Sequence, residues 1–200
     1  MGEESGSTTH QSDFIWIIDP LDGTTNFLHN FPQYCVSIAL QHKGEITQAV
    51  IYEPNRNDLY TATKGRGAFL NDKRIRVSKC DKLKESLIGT GFPFRDFKHL
   101  DTYLGMFKSM LQKGIRRPGS AALDLAYVAN GSLDAFWEIG LSPWDIAAGA
   151  LLVQEAGGII SNLNGKEGWL QSGNVLAASP KIYDAMLEVL APHLTEDIKA

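Results

Sequence analysis

An apolar run, Phe14-Ile15-Trp16-Ile17-Ile18, leads directly into Asp19-Pro20-Leu21-Asp22-Gly23-Thr24-Thr25. Five consecutive apolar residues bounded by turn residues read as a buried strand. Pro20 excludes a helix there and biases Asp19 toward an extended backbone, while Gly23 frees the turn that follows. The chain thus delivers two carboxylates at a strand's end, around one tight bend. A short helix over Thr24-Thr25-Asn26-Phe27 then presents backbone N–H groups beside them. Carboxylates next to such donors suit a divalent cation and a phosphoryl group together. The same residues also suit a plain turn between strands, because Asp-Pro and Asp-Gly are common in turns.

From Phe14 to Val77 the pattern is strand after strand. Tyr34–Gln41, Ile46–Glu53, Leu59–Thr63, Ala68–Leu70 and Arg74–Val77 are separated by turns rich in Gly, Asn and Asp, which predicts an antiparallel meander. The second half changes character. Helical spacing marks Asp101–Lys113, Ser120–Ala129, Ile146–Ala156 and Lys181–Leu190, and short strands are expected at Leu133–Ile139, Gly158–Asn162 and Val175–Ala178. Ser120 can cap the second of these helices, and Ser179-Pro180 can open the last. An antiparallel sheet followed by a smaller α/β unit makes an α+β chain. We read one domain over 1–200, with an antiparallel-sheet lobe to about residue 113 and an α/β lobe beyond it.

The chain has 200 residues, 44% of them hydrophobic, which is ample for a buried core. A net charge of −4 argues against direct nucleic-acid binding held by phosphate attraction. Cys35 and Cys80 have neither metal spacing nor a disulfide framework, and Cys35 falls in an apolar strand. Reduced thiols and a cytoplasmic setting are expected. No apolar run approaches the ~20 residues of a membrane span, and the N-terminus is not signal-like. The five histidines are scattered and read as surface or packing residues, and Trp16, Trp137 and Trp144 as packing residues.

A further acid, Asp145, lies in Pro143-Trp144-Asp145 at the entrance to the small-residue helix. As an N-cap it would satisfy first-turn N–H groups; as a third carboxylate it would close a cage with Asp19 and Asp22. The two roles are compatible, since one oxygen can take an N–H while the other takes a metal. Glu138 can accept hydrogen bonds from neighbouring hydroxyls, or stand as a solvated strand residue. Gly119-Ser120-Ala121-Ala122 lacks the Gly-x-Ser-x-Gly form of a nucleophile loop, so capping and substrate contact are expected of it instead. Arg116-Arg117 reads as a solvated face or as a contact for an anion or a protein partner.

Gly2-Glu3-Glu4-Ser5, Trp16 through Phe27, and Trp144-Asp145-Ile146-Ala147-Ala148-Gly149 through Glu155-Ala156-Gly157-Gly158 resemble the signatures of the inositol monophosphatase family, closest to its bacterial branch. The resemblance implies a layered α-β-α-β-α sandwich and a Mg²⁺-dependent phosphomonoesterase with two or three ions per site. It implies that Glu3, Asp19 and the Leu21 carbonyl hold a first ion, and that Asp19, Asp22 and Asp145 hold a second. Backbone N–H groups of Gly23 and Thr24 would receive the phosphate. Gly119, Ser120, Ala121, Glu138 and Asp145 would contact the sugar or inositol ring. Homodimers and inhibition by Li⁺ are implied as well.

Family members also carry an upstream region with two long helices and a hairpin aspartate that works with the threonine matching Thr24. No counterpart precedes Glu3 here. The expected sandwich therefore lacks its first helical layer, which leaves one sheet face uncovered and separates inheritance of the ligands from turnover by these residues alone. Within the superfamily, fructose-1,6-bisphosphate and adenosine-3′,5′-bisphosphate phosphatases are alternatives. A different class is a non-catalytic or moonlighting protein with a transcription-machinery partner.

Overall fold

The structure, a computed structural model, describes residues 1–4, 12–92 and 97–199. Six strands form an antiparallel meander in sequence order: β1 (Phe14–Asp22), β2 (Cys35–His42), β3 (Glu45–Glu53), β4 (Asp58–Thr63), β5 (Gly67–Leu70) and β6 (Lys73–Arg74). The turn between β2 and β3 shows why the meander forms. Lys43 and Gly44 both take positive φ, 51° and 86°, the geometry that lets a two-residue turn match the strand twist. Helix α1 (Thr24–Leu28) separates β1 from β2.

The second sheet is mixed, in the order β10-β11-β9-β7-β8. Its strands are β7 (Leu87–Thr90), β8 (Gly114–Arg116), β9 (Ala135–Glu138), β10 (Ile159–Ser161) and β11 (Val175–Ala178). β7 pairs in parallel with both β8 and β9, while β11 runs antiparallel to its two neighbours. Helices α2 (Leu100–Met110) and α3 (Ala121–Asn130) make the two parallel crossovers. α4 (Pro143–Glu155) follows β9, the short α5 (Trp169–Ser172) precedes β11, and α6 (Pro180–Leu190) and α7 (Glu196–Lys199) end the chain.

Two apolar clusters define the layers. Ile17, Ala39, Ile51, Tyr60 and Ala62 of the first sheet pack on Leu125, Ile146, Leu152 and Val153 of α3 and α4, and these helices also meet Phe136, Val175 and Ala177 of the second sheet. The opposite side of the second sheet, with Ile88, Trp137 and Leu176, packs on Tyr103, Met106, Ile182 and Met186 of α2 and α6. The order is sheet, helices, sheet, helices, as the α+β sandwich reading requires without its first helical layer. Among the described residues nothing covers the outer face of the first sheet, where Ile18, Ile38 and Val50 are half-buried and Trp16 is 55% exposed. Trp16 is therefore not the packing residue expected of it; Trp137 is fully buried.

Three expectations shift. β7 and β8 were not legible, because each is a three- or four-residue segment holding a glycine, stabilised by distant parallel partners. The chain passes between the sheets after Arg74 and before Leu87, well ahead of the division expected near residue 113. And α4 begins at Pro143, with Ser142 as its N-cap, so Asp145 occupies the third helical position rather than the cap.

Small residues let α4 lie close to α3. A Cβ on Gly149 would fall 2.5 Å from Leu125 Cβ, which is inside contact distance. Gly149→Val is expected to destabilise the fold by about 3 kcal/mol through overpacking, read as a lower urea midpoint. An unchanged midpoint would mean the helices part easily.

Candidate active site

Residues three apart on a regular strand point to opposite faces. Asp19 and Asp22 nevertheless share a face, because β1 carries a bulge at Pro20-Leu21: Asp19 lies opposite Ser37 and Asp22 opposite Cys35, which are two apart on β2. The strand thus continues through Asp22 rather than ending at Asp19. Asp19 Oδ1 accepts from Leu21 N at 2.9 Å, bridging the bulge, and Thr24 Oγ1 donates to the Leu21 carbonyl at 3.0 Å. Gly23 closes the bend with φ 90°, where a Cβ would meet the Gln33 carbonyl at 2.8 Å. No other residue type fits there without strain.

Asp22 is fixed from the other layer. Its Oδ2 accepts from Ser120 Oγ at 2.5 Å and from Ala122 N at 2.8 Å, both at the start of α3. Ser120 also caps that helix by accepting from Leu123 N, so its hydroxyl turns toward Asp22. The Cys35 thiol, buried and free, lies 3.9 Å from the same carboxylate oxygen. Asp145 Oδ2 accepts from Ser142 N at 2.7 Å in a capping box. α4 is pinned to the first sheet at both ends: Ser37 Oγ donates to the Trp144 carbonyl, and Glu155 accepts from Gly65 N and Gly67 N.

Asp19, Asp22 and Asp145 each offer one carboxylate oxygen, and these atoms lie within 4.8 Å of one another. Glu3 stands beside this trio and outside it. Main-chain pairing carries it there: Ile18 N donates to the Met1 carbonyl, and Gly2 bridges to Ile18 in parallel. All four acids, with Leu21, Gly23 and Thr24, line one cavity of about 370 Å³. Gly119, Ser120, Ala121 and Glu138 line it too. Glu138 is 7% exposed, not a solvated strand residue, and its carboxylate lies so close to Gly91 that any Cβ there would overlap it.

The cavity sits where the parallel strands β7, β8 and β9 end, and where the two crossovers depart to opposite faces of their sheet. Such switch points leave a crevice that ligands use. Sequence reasoning missed several of its walls, Thr90, Gly91 and Asp124; Arg117, of the pair read as a solvated face or an anion contact, lines the cavity with its guanidinium 5.0 Å over the Phe92 ring. Asp124 carried the one visible signal, a carboxylate among apolar helix residues. Asn26 was missed as well; its Nδ2 donates to the Gln33, Pro118 and Gly119 carbonyls and ties α1 to the Gly119 loop. His10 and Ser5 lie outside the described residues.

Burial raises the Asp19 carboxyl to about 7, against the hydrogen bond from Leu21 N and with added repulsion from Asp22, Glu3 and Asp145. Asp22 is also raised to about 7, by burial first, with Asp145 and Glu3 repelling it and Ser120 and Ala122 opposing the rise. Negative charges held this close in a buried wall call for a counter-cation.

Fold and site define a class: a layered α+β domain with an acidic cleft where parallel strands end. Residues 1–198 match the inositol monophosphatase family, and the chain belongs to it. The Nus factor SuhB of Pseudomonas aeruginosa is 52% identical, over 100% of this chain and 76% of its own length. The inositol monophosphatase of Anabaena (Nostoc) sp. PCC 7120 is 40% identical with a TM-score of 0.92, over 96% of this chain and 77% of its own. A structure of SaIMPase-II with inositol monophosphate bound is 29% identical with a TM-score of 0.85, over 96% and 76%. No helix among the described residues is long and apolar enough to cross a membrane.

Proposed function

We propose that this protein is a Mg²⁺-dependent phosphomonoesterase that hydrolyses inositol monophosphate, or a related small sugar phosphate, to the alcohol and inorganic phosphate. The observation that carries this reading is the trio Asp19, Asp22 and Asp145 converging within 4.8 Å on a cavity of substrate size. The donors are all hard oxygens, which fits Mg²⁺ rather than a thiophilic metal. Two or three ions would be held by Glu3, Asp19, the Leu21 carbonyl, Asp22 and Asp145. When bound they supply positive charge to the phosphoryl oxygens and lower the pKa of water.

The chain's own groups do the rest. Gly23 and Thr24 N–H groups orient the phosphate, and Thr24 keeps its hydroxyl on the Leu21 carbonyl. Ser120 and Ala122 N hold Asp22 in one rotamer. Glu138, with the Gly119-Ser120-Ala121 loop, orients the hydroxyls of the leaving alcohol. A direct displacement by water needs no covalent enzyme intermediate. Charge stabilisation has to supply most of the barrier reduction for so slow an uncatalysed reaction.

Phosphate release from inositol 1-phosphate, fructose 1,6-bisphosphate and adenosine 3′,5′-bisphosphate tests the assignment. The expected order has inositol 1-phosphate with the highest kcat/KM, and release absent without Mg²⁺. A higher value for either bisphosphate would reassign the substrate; no Mg²⁺-dependent release from any would end the reading.

Several finer features belong to the same proposal. Li⁺ inhibition fits a crowded carboxylate site. A homodimer fits the exposed Phe27, Leu28 and Phe31. A cytoplasmic setting fits the free Cys35 and Cys80. The likeness to the Nus factor SuhB favours a second reading, in which the chain also binds a partner of the transcription machinery.

A further inference from the structure

We propose that Asp124 is a specificity-determining residue for the alcohol part of the substrate, a cavity-floor carboxyl that hydrogen-bonds a ring hydroxyl beside Glu138. The inference deepens the phosphomonoesterase reading and rests on it. Asp124 lies on the α3 face turned to the second sheet and is 1% exposed, yet it lines the cavity. Its Oδ1 is buried and has no hydrogen-bond partner among the described residues. Leaving such an atom unmet is costly in a folded protein, and functional sites are where the cost is tolerated.

The surroundings are shaped for a polar ligand. Gly89 and Gly91 make room for their neighbours: a Cβ on Gly89 would crowd Leu133 Cδ1 at 2.9 Å and reach Asp124 Cγ at 3.5 Å, and one on Gly91 would overlap the Glu138 carboxylate. Asp124 and Glu138 line the same cavity. Burial raises the Asp124 carboxyl well above the usual range, and Glu138 and then Asp22 add repulsion that Arg117 only partly offsets. A carboxyl oxygen accepts from a hydroxyl, and a protonated carboxyl such as that favoured at Asp124 also donates. Together Asp124 and Glu138 match the hydroxyls of a polyol, each of which gives one hydrogen bond and receives others.

The test compares inositol 1-phosphate with p-nitrophenyl phosphate, which has no hydroxyl to recognise, in the Mg²⁺-loaded protein. Asp124→Leu is expected to raise KM for inositol 1-phosphate about 10-fold or more, the effect of one lost buried hydrogen bond, and to leave p-nitrophenyl phosphate turnover unchanged. Asp124→Asn, which still donates and accepts, should restore the polyol KM to within about 3-fold. If Asp124→Leu does not fold, Asp124→Ser must show the same substrate split. Equal losses on both esters, or no loss on either, would overturn the assignment by making Asp124 structural or idle. Asparagine failing as badly as leucine would overturn it too, by requiring the charge. Absence of Mg²⁺-dependent turnover of both esters by the unsubstituted protein would instead overturn the phosphatase reading and this assignment with it.

Discussion

Asp19→Asn is expected to reduce Mg²⁺-dependent phosphate release by at least about 10³-fold, beyond the 10–100-fold typical of losses outside the ligand set. The substitution keeps the shape of the side chain and removes one negative charge from a cluster in which Asp22, Glu3 and Asp145 already repel it. The variant should therefore fold, and in Mg²⁺-free buffer at pH 8 it should melt no lower than the parent. Retained turnover would rule out the proposed mechanism. The same protein separates the two functional readings. Capture of RNA polymerase by a folded, inactive Asp19→Asn chain would establish a partner surface independent of catalysis. Failure of both parent and variant to capture it would remove that second reading.

The second large effect links cation, proton and fold. Asp19 and Asp22 titrate near 7 in the folded protein against an ordinary 3.8. A carboxyl raised in this way binds its proton more tightly folded than unfolded. Its contribution to stability is full below about pH 4 and is lost as pH climbs toward 7. Mg²⁺ needs the deprotonated forms, so its stabilising effect has the opposite slope. At a concentration 100 times its dissociation constant, a bound ion adds about 2.7 kcal/mol, or roughly 5–10 °C in Tm for a chain of this size. We expect that gain at pH 8 and little of it at pH 5.5, with apparent affinity falling about 10-fold per pH unit for each proton displaced. Thermal melts with and without Mg²⁺ across this range measure it. A gain independent of pH would place the ion away from Asp19 and Asp22.

Much of the site was legible because its acids sit in local motifs. Asp19-Pro20-Leu21-Asp22-Gly23 announces a special bend, Asp145 stands out at a helix entrance, and the resemblance named Glu3 from afar. What periodicity could not reveal is the bulge that puts Asp19 and Asp22 on one face, since the bulge is defined only by pairing to Ser37 and Cys35. The meander was readable from its turns, each a local event. β7 and β8 were not, because their pairing partners lie 27 and 47 residues away along the chain and their own composition is weak. Asp124 and Asn26 escaped for a related reason. A helix residue's role depends on which tertiary face it meets, and nothing in ten residues of sequence names that face.

The hydrogen bonds from α3 to Asp22 have a mechanical corollary. One wall of the cleft belongs to the first sheet and the facing wall to the helices behind it, so an ion held by both Asp22 and Asp145 would rivet the two layers together. Loosening the interior between those layers, even at a methyl group remote from any ligand, should show up first as weaker retention of magnesium.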